Sequence, residues 1–172
     1  LRGAVGELSK WDEPLAKRLA AVLAHGSSRQ RELALTMFLM FRDGGNFLDS
    51  QKEIESWFDQ HRDFFKPSLL TASRDGTPYV RSLALMLLGS IAPKSDEFKT
   101  RLTEIVESDP STSLRTLAMM NVVAIQPDDP FVHRTLLSWA KSGERDLVSS
   151  AIDNMYPNEE RGVQAIDELM EL

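Results

Sequence analysis

The sequence predicts an all-α fold, a short α-solenoid of about four to five stacked helical hairpins. Three observations predict it. No segment alternates apolar and polar residues over strand length with β-branched enrichment, while a 3.6-residue apolar periodicity recurs along the whole chain. Turn signals break that periodicity at short intervals: His25-Gly26, Asp43-Gly44-Gly45, Asp75-Gly76, Ala92-Pro93, Asp109-Pro110, Pro127-Asp128-Asp129-Pro130, Ser142-Gly143 and Pro157-Asn158. The phrase Arg-x-Leu-(Ala/Val) occurs four times, starting at Arg31, Arg81, Arg115 and Arg145, in steps of 50, 34 and 30 residues. A period of roughly 30 to 50 residues is the mark of repeat units that bury their apolar faces against one another.

Between these breaks, helices are expected near 10–24, 28–42, 50–59, 63–73, 77–91, 95–107, 111–125, 130–141, 144–155 and 159–171. The third opens on Ser50-Gln51-Lys52-Glu53, a capping box in which the serine hydroxyl accepts an orphan N–H and the glutamate reaches back. Its continuation breaks around Gln60-His61-Arg62. Thr77-Pro78, Asp109-Pro110 and Asp129-Pro130 each set a capping side chain before a proline, whose missing N–H costs nothing at the first helical position. Paired in order, the helices form hairpins near 10–42, 50–91, 95–125 and 130–155, closed by 159–171. The interrupted helix lengthens the second hairpin and accounts for the 50-residue step. The whole of 1–172 reads as one repeat domain.

The 42% hydrophobic and 27% charged content suits a folded, soluble chain. The longest apolar run, Leu83–Leu88, is too short to span a bilayer, and no basic segment followed by an apolar stretch marks a signal peptide. The expectation is therefore a cytoplasmic protein with no membrane insertion. With no cysteine, disulfides, thiolate metal sites and cysteine nucleophiles are excluded. The net charge of −6 falls wholly in residues 67–172, so nucleic acid is not an expected partner.

Two copies of the arginine phrase carry more than the arginine. Asp75-Gly-Thr-Pro-Tyr-Val80-Arg81 and Asp109-Pro-Ser-Thr-Ser-Leu114-Arg115 both keep an aspartate six residues upstream. This pattern resembles HEAT repeats, which place an Asp in the turn between paired helices and a Val-Arg near the start of the second. The resemblance implies a right-handed solenoid and a charge ladder between successive repeats, with Arg81 paired to Asp109 or Asp75 to Arg115. His25 and Trp139 stand at the aspartate position of the first and last copies, so there the resemblance implies no ladder.

Few residues suggest chemistry. His25, His61 and His133 lack metal-ligand spacing, and Asp59 and Asp63 beside His61 fit a solvated helix break. The pairs Asp12-Glu13, Asp96-Glu97, Asp128-Asp129 and Glu159-Glu160 stand at helix starts, where the helix dipole favours negative charge. The serines lack a nucleophile-elbow context, Gly44-Gly45 reads as a helix stop, and Trp11, Trp57 and Trp139 read as packing residues of first helices. No catalytic, cofactor or metal residue is assigned. The remaining candidate is a stripe on the second helices, one, five and nine residues after each arginine: Glu32, Thr36, Met40; Ser82, Met86, Ser90; Thr116, Met120, Ala124; Asp146, Ser150, Asn154. Small polar residues with flexible methionines suit an adaptable peptide groove; the alternative reading buries Met86 and Met120 between repeats.

The function expected is thus a non-enzymatic scaffold that binds a protein or peptide on the concave face, which second helices line in the resembled family. An enzyme on the same scaffold, alkylpurine DNA glycosylase-like or bilin lyase-like, is the alternative. Glu32, Asp146 and Asn154 stand where a DNA-binding groove would want Lys and Arg.

Overall fold

The computed structural model describes residues 13–42, 56–57 and 60–155. All regular structure among them is helical. The helices are α1 (Glu13–His25), α2 (Ser28–Arg42), α3 (Arg62–Ala72), α4 (Pro78–Ile91), α5 (Asp96–Ser108), α6 (Thr112–Ile125), α7 (Pro130–Ala140) and α8 (Arg145–Met155). Each matches an expected helix to within a few residues. The capping box at 50–53, Trp11, Gly44-Gly45 and the closing helix 159–171 lie outside the described residues.

Local chemistry explains the boundaries. Ser56, Trp57 and Gln60 are helical, and the expected break falls on His61, the residue before α3. α1 stops before Gly26, a position that requires glycine because a Cβ there would stand 2.5 Å from the Val22 carbonyl oxygen. Pro78 occupies the first turn of α4 and Pro130 that of α7, where Asp129 accepts the Phe131 N–H at 2.9 Å. Thr77-Pro78 and Asp109-Pro110 depart from expectation: Thr77 precedes α4, but its side chain accepts no capping bond. Ser111 is the cap of α6, and Asp109 instead fixes the turn by accepting the Ser111 N–H at 2.8 Å.

The chain divides into two compact units, Leu1–Phe98 and Lys99–Leu172. In the first, α1 packs on α2 and α3, α3 on α4, and α2 on α4. Its core centres on Leu35, Phe38, Phe65, Leu69, Val80 and Leu88. Phe38 meets Phe65 edge-on at 5.2 Å and Trp57 lies 5.3 Å from the same ring. In the second unit, α8 packs on α6 and α7, and α6 touches α7. Leu114, Met119, Val122, Leu136, Trp139 and Leu147 are buried there. Burying one such side chain stabilises a fold by about 1.5–3 kcal/mol.

Candidate functional site

The four arginines of the repeated phrase have unequal environments. Arg31 donates from Nε to the Leu23 carbonyl at 2.9 Å and from Nη2 to that of Ala24 at 2.9 Å. These belong to the last turn of α1, where carbonyls have no intrahelical partner. Arg115 caps α5 in the same way, donating from Nε to the Val106 carbonyl at 3.1 Å. Arg81, buried, donates from Nη1 to the carbonyls of Asp75 and Gly76. Each of these guanidinium groups therefore seals the turn of its own helix pair. Arg145 is exposed.

Arg31 also reaches the next pair of helices, placing Nη1 2.7 Å from Asp75 Oδ2. Asp75 Oδ1 accepts the Ser28 hydroxyl and the Thr77 N–H, both at 2.8 Å. Burial alone would raise the Asp75 carboxyl, but the bonds from Thr77, Arg31 and Ser28 outweigh it and hold it below its ordinary value. The expectation named Arg115 as a possible partner of Asp75; the observed partner is Arg31, from the copy whose own upstream residue is His25. The reason is geometric. Arg31 reaches the turn of the following helix pair, so the residue six upstream of it, His25, is not the one it pairs with.

The second unit repeats this contact with different chemistry. The Arg115 guanidinium carbon lies 5.5 Å from the centroid of Trp139, within cation–π range. Trp139 stands six residues before Arg145, where an aspartate would be expected. A buried indole thus takes the place of the carboxylate.

Six large apolar side chains are exposed among the described residues: Leu33, Met37, Tyr79, Met86, Met120 and Ile152. All six lie on α2, α4, α6 or α8, the second helix of each pair, and none on a first helix. Met86 and Met120 are 41% and 56% exposed, so they are surface residues and not buried between repeats. Of the rest of the stripe, Glu32, Thr36, Ser82 and Thr116 are half-buried, Asp146 is exposed and Ser150 is buried. Met40's side chain lies outside the described residues. On α2 the exposed row is Arg29, Leu33 and Met37, one residue round from Glu32, Thr36 and Met40. One residue turns a helix face by about 100°.

Three hydroxyls of the stripe are turned onto their own helices. Ser82 donates to the Tyr79 carbonyl, Ser90 to Met86 and Thr116 to Ser113. Glu32 pairs with Arg29 at 2.9 Å. Between α6 and α8 the stripe lines a groove of about 400 Å³, walled by Thr116 and Met120 on one side and by Asp146, Ser150, Asp153 and Asn154 on the other. The sequence stripe thus brings Thr116, Met120, Asp146, Ser150 and Asn154 to one cavity.

No family model, curated protein or solved structure matches this chain. The functional reading therefore rests on its own residues.

The other candidates fall at structural positions. His61 sets its ring Nδ1 2.8 Å from the Trp57 carbonyl and its ring 5.0 Å from that of Trp57. His25 is exposed at the end of α1, and His133 is half-buried on α7. Glu13, Asp96 and Glu97 lie in first helical turns, and Asp129 caps α7. Counting from the arginines misses Ser113, Ser149 and, of the charged groove residues, Asp153. It lies seven residues beyond Asp146 on α8, and that helical spacing is the signal that would have found it.

Proposed function

We propose that this chain is a short HEAT-like α-solenoid that acts as a non-enzymatic protein-binding scaffold. Its partner, a protein or a peptide, is bound by exposed faces of second helices, α2 and α4 in the first unit or α6 and α8 in the second. The observation that carries the reading is that, among the described residues, the exposed large apolar side chains are confined to those helices. Scattered exposed apolar residues are ordinary, but their segregation to one helix of every pair is what a contact surface requires. Three of the six are methionines, whose unbranched, polarisable side chains adapt to varied partners. The Arg31–Asp75 and Arg115–Trp139 contacts support the repeat architecture, since each joins the second helix of one pair to the next pair.

The test is peptide selection from a random display library, followed by titration of the best binders against Met86→Glu and Met120→Glu. At least one variant, folded by circular dichroism, is expected to bind about tenfold more weakly, a loss of about 1.4 kcal/mol. Parental affinity in both would overturn the assignment of these faces.

A further inference from the structure

We infer that a recess between α5, α6 and α7 binds a free apolar α-amino acid, its carboxylate on Lys99, its ammonium on Asp129 and its side chain on an apolar floor. The inference goes beyond the scaffold reading and does not rest on it. The recess has a volume of about 230 Å³, and every residue that lines it belongs to the second unit. None of those residues is exposed, whereas exposed side chains line the groove between α6 and α8. It is thus a pit and not a stretch of open surface.

The floor of the pit is apolar. Leu102 and Val122 are 0% and 5% exposed, and the half-buried Ile125 and Phe131 line the recess with them. Water against such a floor finds few hydrogen-bond partners, so an apolar group that displaces it is favoured.

Two opposite charges share the recess. Lys99 comes from α5 and Asp129 from the turn before α7. They form no ion pair with each other, and Asp129 enters none among the described residues. As the cap of α7, Asp129 accepts the Phe131 N–H on Oδ1, which leaves Oδ2 for an ammonium. The half-buried Gln126 amide also lines the pit and makes no hydrogen bond to another described residue. It offers a donor to a carboxylate and an acceptor to an ammonium. A simple carboxylic acid would match Lys99 and leave Asp129 without a counter-charge, and an amine would do the reverse. A zwitterion satisfies both.

Size narrows the class. A cavity of about 150 Å³ holds benzene, with its six heavy atoms. At the same ratio 230 Å³ holds about nine heavy atoms, the size of leucine or isoleucine. Glycine would leave the floor uncovered, and an internal residue of a peptide carries neither terminal charge.

The probe is L-leucine, titrated into the full chain by isothermal calorimetry and by amide chemical-shift mapping. Three analogues accompany it: glycine lacks the apolar body, isocaproate the ammonium and isoamylamine the carboxylate. Leucine is expected to bind with a Kd of about 1 mM or below and to move the amides of Thr103, Gln126 and Phe131. Each analogue should bind at least tenfold more weakly. Asp129→Asn keeps a side chain that caps a helix, so it should lose at least tenfold in leucine affinity and bind isocaproate no more weakly than the parent does. Lys99→Gln should lose leucine to the same extent and bind isoamylamine no more weakly than the parent. A merely structural role would weaken leucine and analogue together. Lys141→Gln and Glu144→Gln, at exposed residues outside the recess, should change leucine affinity less than twofold. No leucine binding at about 10 mM, an analogue that matches leucine, or parental leucine affinity in both Asp129→Asn and Lys99→Gln overturns the inference. The Met86→Glu and Met120→Glu titrations bear on the scaffold reading alone, so the two failures are distinguishable.

Discussion

Asp75→Asn removes one charge from a buried network and leaves its shape. At 4% exposure, Asp75 receives Arg31, Ser28 and Thr77 within 2.7–2.8 Å. In the variant, Thr77 and Ser28 keep an amide oxygen as acceptor, while Arg31 loses its anion. A hydrogen bond to a charged group contributes about 1.5–3 kcal/mol. Arg31 stays partly wetted and keeps the Leu23 and Ala24 carbonyls, which places the loss near the lower end, at about 2 kcal/mol. For a chain of this size that lowers Tm by about 4–8 °C. Acid provides a second check. The Asp75 carboxyl titrates below its ordinary 3.8 in the folded chain, so the unfolded chain takes up its proton first as pH falls. Its contribution is complete above the unfolded value and is lost as pH falls through the folded one. The difference between parent and variant is therefore constant from pH 7 to about 5 and shrinks below about 4. Urea titrations followed by circular dichroism at several pH values measure both effects. A loss under about 0.5 kcal/mol at pH 7, no more than an ordinary surface substitution, would refute the reasoning, as would a gap that widens on acidification.

Arg81→Ala and Arg115→Ala are each expected to destabilise the fold by on the order of 1–3 kcal/mol, because buried carbonyls lose a charged donor. The exposed Arg145→Ala should stay within about 0.5 kcal/mol, and equal effects at all three would show that the phrase has no turn-sealing role. Neighbouring methionines separate core from surface. Met119→Ala, at 0% exposure, should cost about 2–5 kcal/mol and Met120→Ala under about 0.5, and thermal melts giving the reverse order would mean that the face of α6 is misassigned. Gly143, at φ 74°, lies where a Cβ is strained, so Gly143→Ala should lower stability by about 1 kcal/mol although no neighbouring atom stands within 4 Å.

The helices were legible because their stops are chemical: glycine, proline and aspartate act within a few residues of themselves, as at Gly26, Pro78 and Asp129. The arginine phrase was legible as structural, but the partners were not. Scoring each arginine by its own upstream residue set Arg31 aside for lack of an aspartate, although its anion, Asp75, comes from the following helix pair. Trp139 was hidden for the same reason, since an indole can replace a carboxylate only if one already knows that Arg115 faces it. The groove was partly legible. The stripe holds on α6, yet on α2 it is displaced to Leu33 and Met37, because the rotation of a helix is set by what packs against it, here α1 and α4, and not by the spacing of a repeated phrase. Ser150 was counted as surface for the same reason, and it is buried.

The guanidinium–carbonyl contacts also bear on how the chain folds. Arg81 reaches back 5 and 6 residues, Arg31 7 and 8, and Arg115 9. Loops of about ten residues close in roughly 10–100 ns, long before distant contacts are made. A helix pair can therefore acquire its sealed turn by itself. The Arg31–Asp75 contact spans 44 residues and forms only once two such pairs have met. The same arginine thus takes part in an early local event and in a late docking event. Substitutions at Asp75 should quicken unfolding while leaving the folding rate little changed, which stopped-flow measurement of both limbs would resolve.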